Sequence, residues 1–366
     1  MSDRNFRLTD SEIQRLATLG GLAPSGGNVQ PWKLRATAQT LELYLHPERS
    51  TSFIDIERYA SIFSLGSVAE NLAIASNYMG LQYAFQFLGY RDVSHPLARF
   101  EYWSRHDPPI APAIDLYEAI EQRVTNRQPF DGTIIAPEAL DTLQVAAQTH
   151  GGICQLWSLQ DRASKKVAAQ ILGKADRIRM QHPALHQQLF GELRWTREAA
   201  ESSQDGIHIQ TLEFTPPALL GLALLSRYAI ARLFPRKAVE ALPLPALLSC
   251  SHFCCLSLNQ PITPAALFTA GQVLQQVWLR ATCLELALQP WTALPFFWIR
   301  ALFFPGTGFS PSEELEIKTL GEDLRQLFGL SPASFPLFLF RLSKAAPPTG
   351  RSLRLDWETF TIKCET

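Results

Sequence analysis

The chain has 366 residues, of which 46% are hydrophobic and 18% charged, and its net charge is −1. This excludes a disordered chain and leaves enough length for two ordinary cores or one large elaborated one. The near-balanced charge excludes a chain-wide basic field that would hold nucleic acid or an anionic membrane nonspecifically.

The first residues, Met1 to Arg7, lack the apolar run of a signal peptide. With six cysteines and no such leader, a reducing cytoplasmic setting is expected. Thr9-Asp10-Ser11-Glu12 predicts a capped helix start. Pro24 ends that helical run. In the stretch that follows, Ser25 and Asn28 place short polar side chains beside backbone that Gly26 and Gly27 open to close approach. Gln30 adds a second amide, and Pro31-Trp32 launches an apolar strand. Residues 41–46 alternate as a half-buried strand, and residues 83–89 supply another. Between them, Gly66 to Leu81 has apolar residues at helical spacing and a stop at Gly80. Asn71 inside that helix reads as a structural partner or a ligand contact.

Ile120 to Phe130 contains Arg123, Thr125, Asn126 and Arg127. Two guanidinium groups four residues apart point the same way at a helical start, and guanidinium suits phosphate. Ala136-Pro137-Glu138 predicts another helix start. Then comes an internal echo. Gly26 to Leu34 aligns with Gly151 to Leu159, the two sharing glycines, glutamine, tryptophan and leucine at matching places. Gly271 to Thr282 repeats the character of the Gly66 helix. Residues 335–342 form a strong apolar strand. The pattern reads as α+β, a plan of helix, glycine turn, strands and central helix executed twice. Residues 160–248 hold the excess length of the second copy, as a lid, a dimer contact or an ordinary helical hairpin.

Other features carry less chemistry. Cys250, His252, Cys254 and Cys255 lack a second ligand pair at metal-site spacing, so no metal is expected and the cysteines read as small apolar strand residues. Three apolar stretches fall short of a membrane span. Residues 216–235 carry Arg227 and Arg232, residues 241–279 are broken by prolines, and residues 286–299 are too short. No nucleophile, histidine and acid constellation is present, and the histidines read as structural or surface residues.

The stretch Pro24-Ser25-Gly26-Gly27-Asn28-Val29-Gln30-Pro31-Trp32 resembles the Pro-Ser-x-x-Asn-x-Gln-Pro-Trp signature of the FMN-dependent nitroreductase family. Gly66 to Leu81 looks like its central helix, and Leu193 to Arg197 with Asp205-Gly206-Ile207 resembles its excursion near the flavin. Arg123, Thr125 and Arg127 occupy the places of the family's arginine motif, which Arg4 and Arg7 miss in the first copy. In the second copy His150 and Ile153 replace Ser25 and Asn28. Each copy keeps what the other has lost, as in the tandem, Acg-like branch of the fold.

The resemblance implies a nitroreductase-like α+β fold in two pseudo-repeated halves, 1–112 and 113–366, with an insertion at about 160–248. The halves would pair as an intrachain pseudo-dimer, whether the chain is a monomer or a homodimer. It implies one FMN site between them, formed by Pro24, Ser25, Gly26, Asn28, Gln30, Arg123, Thr125, Asn126, Arg127 and Arg351, with Arg354 competing for the last place. Asn28 and Gln30 would face the flavin's pyrimidine edge. No side chain need be catalytic, since flavin carries the chemistry. The implied activity is NAD(P)H-dependent two-electron reduction of nitroaromatic or quinone-like acceptors by ping-pong hydride transfer. The alternatives are a flavin-storage protein whose lid blocks turnover and an α+β binding module without flavin.

Overall fold

The structure is a computed structural model that describes residues 6–106 and 111–364; Arg4 lies outside them. Helix α1 (Asp10–Gly21) begins as expected. The Thr9 hydroxyl accepts from the Glu12 N–H, and the Glu12 carboxylate accepts from the Thr9 N–H at 2.7 Å. A single 3-10 turn, Gly26–Asn28, leads into β1 (Trp32–Ala36) and β2 (Thr40–Leu45). Then follow α2 (Tyr59–Tyr78), β3 (Leu81–Phe87), β4 (Ala98–Arg105) and α3 (Ala111–Gln122).

The plan then repeats. Helix α4 (Pro137–Ala147), a 3-10 turn at His150–Gly152 and β5 (Cys154–Leu159) take the places of α1, the first turn and β1. A helical excursion intervenes. It comprises α5 (Arg162–Gln181), α6 (Pro183–Gly191), β6 (Leu193–Arg194), α7 (Arg197–Ser203), β7 (Ile207–His208), α8 (Pro216–Leu225), α9 (Tyr228–Leu233), α10 (Arg236–Glu240) and α11 (Leu244–Leu248). The plan resumes with β8 (His252–Leu258), α12 (Pro264–Cys283), β9 (Ala287–Pro290), α13 (Ala293–Phe303), α14 (Pro311–Leu327) and β10 (Phe335–Ser343). The tail ends in α15 (Trp357–Phe360) and β11 (Thr361–Lys363).

The two main sheets run β11-β1-β2-β4-β3 and β5-β8-β10-β9. Leaving β11 aside, both follow one order, with every pair antiparallel. Strands β8 and β10 are buried along their whole length. Burial pushes the thiols of Cys254 and Cys255 upward and that of Cys154 up to about 12, so they behave as apolar filling. Among the described residues no group of His, Cys, Asp or Glu is placed to hold a metal. The two glycine turns differ in detail. The left-handed residues are Gly27 and Asn28 in the first, and His150, Gly151 and Gly152 in the second.

The two copies meet where α2 crosses α12. Gly66 and Gly271 face each other, and a Cβ on either would fall 3.0 or 3.1 Å from the other's Cα. Each such Cβ would also collide with a carbonyl oxygen, that of Phe268 for Gly66 and that of Phe63 for Gly271. Side chains then stitch the crossing. Ser67 Oγ donates to Gly271 O at 2.8 Å, and Gln275 Nε2 donates to Asn71 Oδ1 at 2.6 Å. Asn71 Nδ2 also donates to Leu19 O, so Asn71 is a structural bridge between α1, α2 and α12.

The tail crosses the boundary drawn at residue 112. Strand β11 pairs in parallel with β1, with Leu34 opposite Thr361, so the first sheet includes the last strand of the chain. Substituting Gly66→Ala or Gly271→Ala is expected to cost about 3 kcal/mol or more, because neither backbone can retreat. Gly26→Ala, where an added Cβ meets nothing within 4 Å, should change stability by less than about 0.5 kcal/mol. Thermal unfolding of the three variants checks this. Equal effects would mean the crossing is not close-packed.

Candidate functional site

A cavity of about 510 Å³ opens beside the helix crossing. Its walls are the turn at 24–29, the face of α2 that carries Ser61, Ser64 and Ser67, and the segment 123–127 after α3. Tail residues 350–354, Leu274 and Trp278 of α12, and residues 289–293 before α13 complete this part. The excursion closes the rest with Asp176, Arg179, Gln188, Leu189, Glu192 and Ile207.

The turn is held in shape by its own side chains. Ser25 Oγ accepts from the Gln30 N–H at 3.0 Å. Gly27 has φ of +59°, a conformation that favours glycine, and a Cβ there would push the Glu192 side chain aside. Asn28 and Gln30 are also left-handed, at φ of +55° and +52°. Their amides are spent on holding other segments. Asn28 Nδ2 donates to Gly206 O and to Leu353 O, each at 2.9 Å, and its Oδ1 accepts from Arg354. Gln30 Nε2 donates to Gln204 O, and its Oε1 accepts from the Leu355 N–H, each at 2.9 Å.

Of the expected residues, Pro24, Ser25, Gly26, Asn28, Arg123, Thr125, Arg127 and Arg351 all line this cavity. Gln30 and Asn126 do not. Gln30 is fully buried behind the turn, which corrects the expectation that its amide faces a cofactor. Asn126 Nδ2 donates to Ala346 O while its Oδ1 accepts from the Gln128 N–H, so it anchors the tail instead. Asn28 borders the cavity with both poles of its amide already engaged in protein contacts.

At one end of the cavity three guanidinium groups converge. Arg123 is buried, lies 4.6 Å over the Trp278 ring, and donates through Nη2 to Leu22 O at 2.6 Å. Its Nε is buried with no partner. Arg351 donates to the carbonyl oxygens of Glu121 and Arg123. None of Arg123, Arg351 and Arg354 forms an ion pair with a carboxylate among the described residues. Glu121 turns away to Arg15 at 2.7 Å. Burial, then the like charges of Arg354 and Arg351, pull the Arg123 pKa far down, and burial followed by Arg351 pulls Arg354 down to about 10. Arg127, which donates to Thr211 O, is likewise lowered to about 10 by burial and by Arg341, against an opposing pull from Glu213. A guanidinium cluster without a counter-charge is a site built for an anion.

The excursion supplies charged groups of both signs. Asp176 is walled in by protein, and burial raises its carboxyl to about 6 against the pull of Arg179 and Trp291. Arg179 Nη2 lies 3.7 Å from Glu192 Oε2, and the Arg179 Nε is buried without a partner. Gln188 Oε1 accepts from the Ile54 N–H at 3.2 Å, which pins α6 to the first copy. Asp205 bridges Arg49 and Arg194, so the Asp-Gly-Ile segment stands against the glycine turn. Sequence reasoning did not assign Ser61, Ser64 and Ser67, although hydroxyls three residues apart on one helix were a readable signal. Asp176 and Arg179 had no such signal, because nothing local tells which face of α5 meets a cavity.

No family model matches the chain. A protein of Mycobacterium tuberculosis (strain CDC 1551 / Oshkosh), described as uncharacterized, is 31% identical over 335 residues, covering 91% of this chain and 46% of the relative. The chain thus spans about half the length of the curated relative it matches. Among solved structures, it is similar over 66% of its length to a nitroreductase-like family protein from Bacillus cereus, covering 90% of that chain at 11% identity and a TM-score of 0.36. It is also similar to a nitroreductase with bound FMN from Bacteroides fragilis, at 63% and 88% coverage, 10% identity and a TM-score of 0.32. A third is an oxidized iodotyrosine deiodinase bound to FMN and 3-iodo-L-tyrosine, at 66% and 95% coverage, 9% identity and a TM-score of 0.35.

The raised Asp176 carboxyl makes a signed prediction. A folded-state pKa of about 6, above the ordinary 3.8, means that the folded protein loses stability as pH rises through that interval. Asp176→Asn removes the loss. The variant should therefore be more stable than the parent by about 1–2 kcal/mol near pH 8, with the gain fading by about pH 4. Thermal melts at both pH values check this, and a gain independent of pH would place the Asp176 carboxylate in a well-solvated setting.

Proposed function

We propose that the cavity binds FMN and that the protein is an NAD(P)H-dependent oxidoreductase acting on nitroaromatic or quinone-like acceptors. The observation that carries this reading is the cluster of buried Arg123, half-buried Arg354 and exposed Arg351, which has no carboxylate partner among the described residues, at the end where the Pro24 to Asn28 turn meets the tail. A phosphate monoester is the dianion such a fork-shaped cluster fits. The cavity volume lies within the roughly 300–1,000 Å³ usual for small-molecule and cofactor sites.

In this reading Arg123, Arg351 and Arg354 hold the phosphate, with Thr125 and Arg127 beside them. The hydroxyls of Ser61 and Ser64 on the α2 wall donate to Asp55 and to Ala60 O, so toward a ligand they present acceptor lone pairs. FMN, when bound, supplies the two-electron hydride chemistry. Reductant and acceptor then use the same space in turn, in ping-pong order. The protein's part is placement and exclusion of water, together with a proton that the Asp176 carboxyl keeps through mildly acidic pH. The two copies act as an intrachain pseudo-dimer with one site, since the arginines come from the second repeat and the glycine turn from the first. A reducing cytoplasmic setting would keep the six cysteines as free thiols.

One observation favours the storage alternative. Residues Gln188, Leu189 and Glu192 of the excursion form part of the cavity wall, and the Glu192 side chain is packed on Gly27. A wall of this kind held shut would bind flavin and deny access to nicotinamide.

Purified protein should be yellow, or turn yellow on incubation with FMN, and anaerobic NADH or NADPH should bleach it. Protein that stays colourless would overturn both flavin readings, and a colour that neither nicotinamide bleaches would establish storage. Arg123→Ala combined with Arg351→Ala should weaken FMN binding by about a hundredfold or more while leaving the fold intact by circular dichroism. Undiminished FMN occupancy in that variant would place the phosphate elsewhere.

A further inference from the structure

The balanced total charge hides a local asymmetry. Residues 214–239 contain Arg227, Arg232, Arg236 and Lys237 and no Asp or Glu. The two acids that flank them are engaged elsewhere. Glu213 accepts from Gln128 and from the Thr349 N–H, and Glu240 accepts from Arg177 at 2.8 Å. In the same segment and just beyond it, Phe214, Leu220, Leu224, Leu233, Phe234 and Leu242 are exposed, Leu233 to 78%. A monomer rarely leaves so many large apolar side chains outside on one short excursion.

The segment is attached along α5 and α6. Leu225, Ala231 and Val239 pack with Met180 in a small cluster separate from the main core, against Leu189 and Phe190 of α6. Gly173 lets α10 rest on α5, because a Cβ there would collide with the Glu240 carbonyl oxygen. Beside that contact is an open groove of about 490 Å³, whose charged lining is Lys166, Lys174, Lys237 and Glu240. The same groove is lined by Ala241 and Leu244, the neighbours in sequence of the exposed Leu242. Helix α8, at 10 residues, is too short to cross a bilayer, and no described helix is long and apolar enough to do so.

We infer that the helices of residues 214–242 dock on an anionic lipid bilayer, with the exposed leucines and phenylalanines in the interface and the arginines and lysines on the headgroups. Short apolar helices bordered by cations, without acids facing outward, match such a surface in both chemistry and charge. Leu189 both borders the cavity and packs on the attachment cluster, so a docked bilayer would lie one helix away from the cavity. The inference does not depend on a bound flavin.

Sedimentation of the whole protein with vesicles tests it. The protein should co-sediment with vesicles of phosphatidylcholine and phosphatidylglycerol mixed, and much less with phosphatidylcholine alone. Binding should fall as salt rises. The combination Leu220→Ser, Leu224→Ser and Leu233→Ser should abolish it. Lys166→Gln with Lys174→Gln should lower partitioning about tenfold or more. All these side chains are exposed, so the melting temperature and any FMN content should not change, and that keeps this test separate from the flavin reading. Absence of binding to the anionic vesicles would overturn the inference. So would binding that ignores salt and lipid charge, or a chain that self-associates through the leucines and leaves the vesicles bare.

Discussion

The close contact between Gly66 and Gly271 is the constraint on which the rest of the structure depends. With no side chain on either residue, α2 and α12 meet backbone to backbone, and each carbonyl oxygen three residues earlier occupies the space a Cβ would need. The contact relates the two copies as near-equals, since Phe63 stands to Gly66 as Phe268 stands to Gly271. What surrounds the two phenylalanines differs. Phe268 is covered by Phe85 and Phe87, at ring distances of 6.0 and 4.9 Å. Nearby, Glu70 pairs at 2.9 Å with His150 of the second glycine turn. Phe63 borders the open cavity. One crossing thus presents two related sides, of which one is packed and the other is hollow.

The hollow side carries an electrostatic cost. Burying guanidinium groups close together without carboxylates disfavours their charged forms, and the depressed values of Arg123 and Arg354 express this. The fold holds them there by hydrogen bonds that do not neutralise charge. Arg123 is tied to Leu22 O, Arg351 to the carbonyls of Glu121 and Arg123, and Arg354 to Asn28. Asn28 and Gln30 in turn clamp the tail at Leu353 and Leu355 and the excursion at Gln204 and Gly206. Two left-handed, non-glycine residues, Asn28 in the turn and Gln30 just after it, are a local strain that accompanies this clamp. An anion bound among the arginines would relieve the repulsion and lock the tail, so ligand binding and stability are linked here.

Much of this was legible in the sequence because it has local causes. The capping box at Thr9 and the alternation in β2 each follow from side chains within a few residues. The repeated glycine turn was legible as an echo, and eight of the ten residues expected at a cofactor border one cavity. The remainder depends on contacts far apart in sequence. Gln30 reads as a free amide until Leu355 and Gln204 arrive at its two ends. Asp176 reads as one more charge on an amphipathic helix until α5 is laid across the cavity mouth. The return of β11 to β1 has no local signal, since its three residues are too few to show a period. The cationic excursion was hidden for the opposite reason, because a total over the whole chain averages it away.

In the proposed flavin site, the arginine cluster and the glycine turn together hold the phosphate end of the ligand. Calorimetric titration of flavin-free protein with FMN and with riboflavin, which differ only in the phosphate, tests it most directly. FMN should bind about a hundredfold or more tighter than riboflavin, and Arg123→Ala with Arg351→Ala should remove most of the difference. Equal affinity for the two ligands, or a preference for FMN that survives those substitutions, would contradict it.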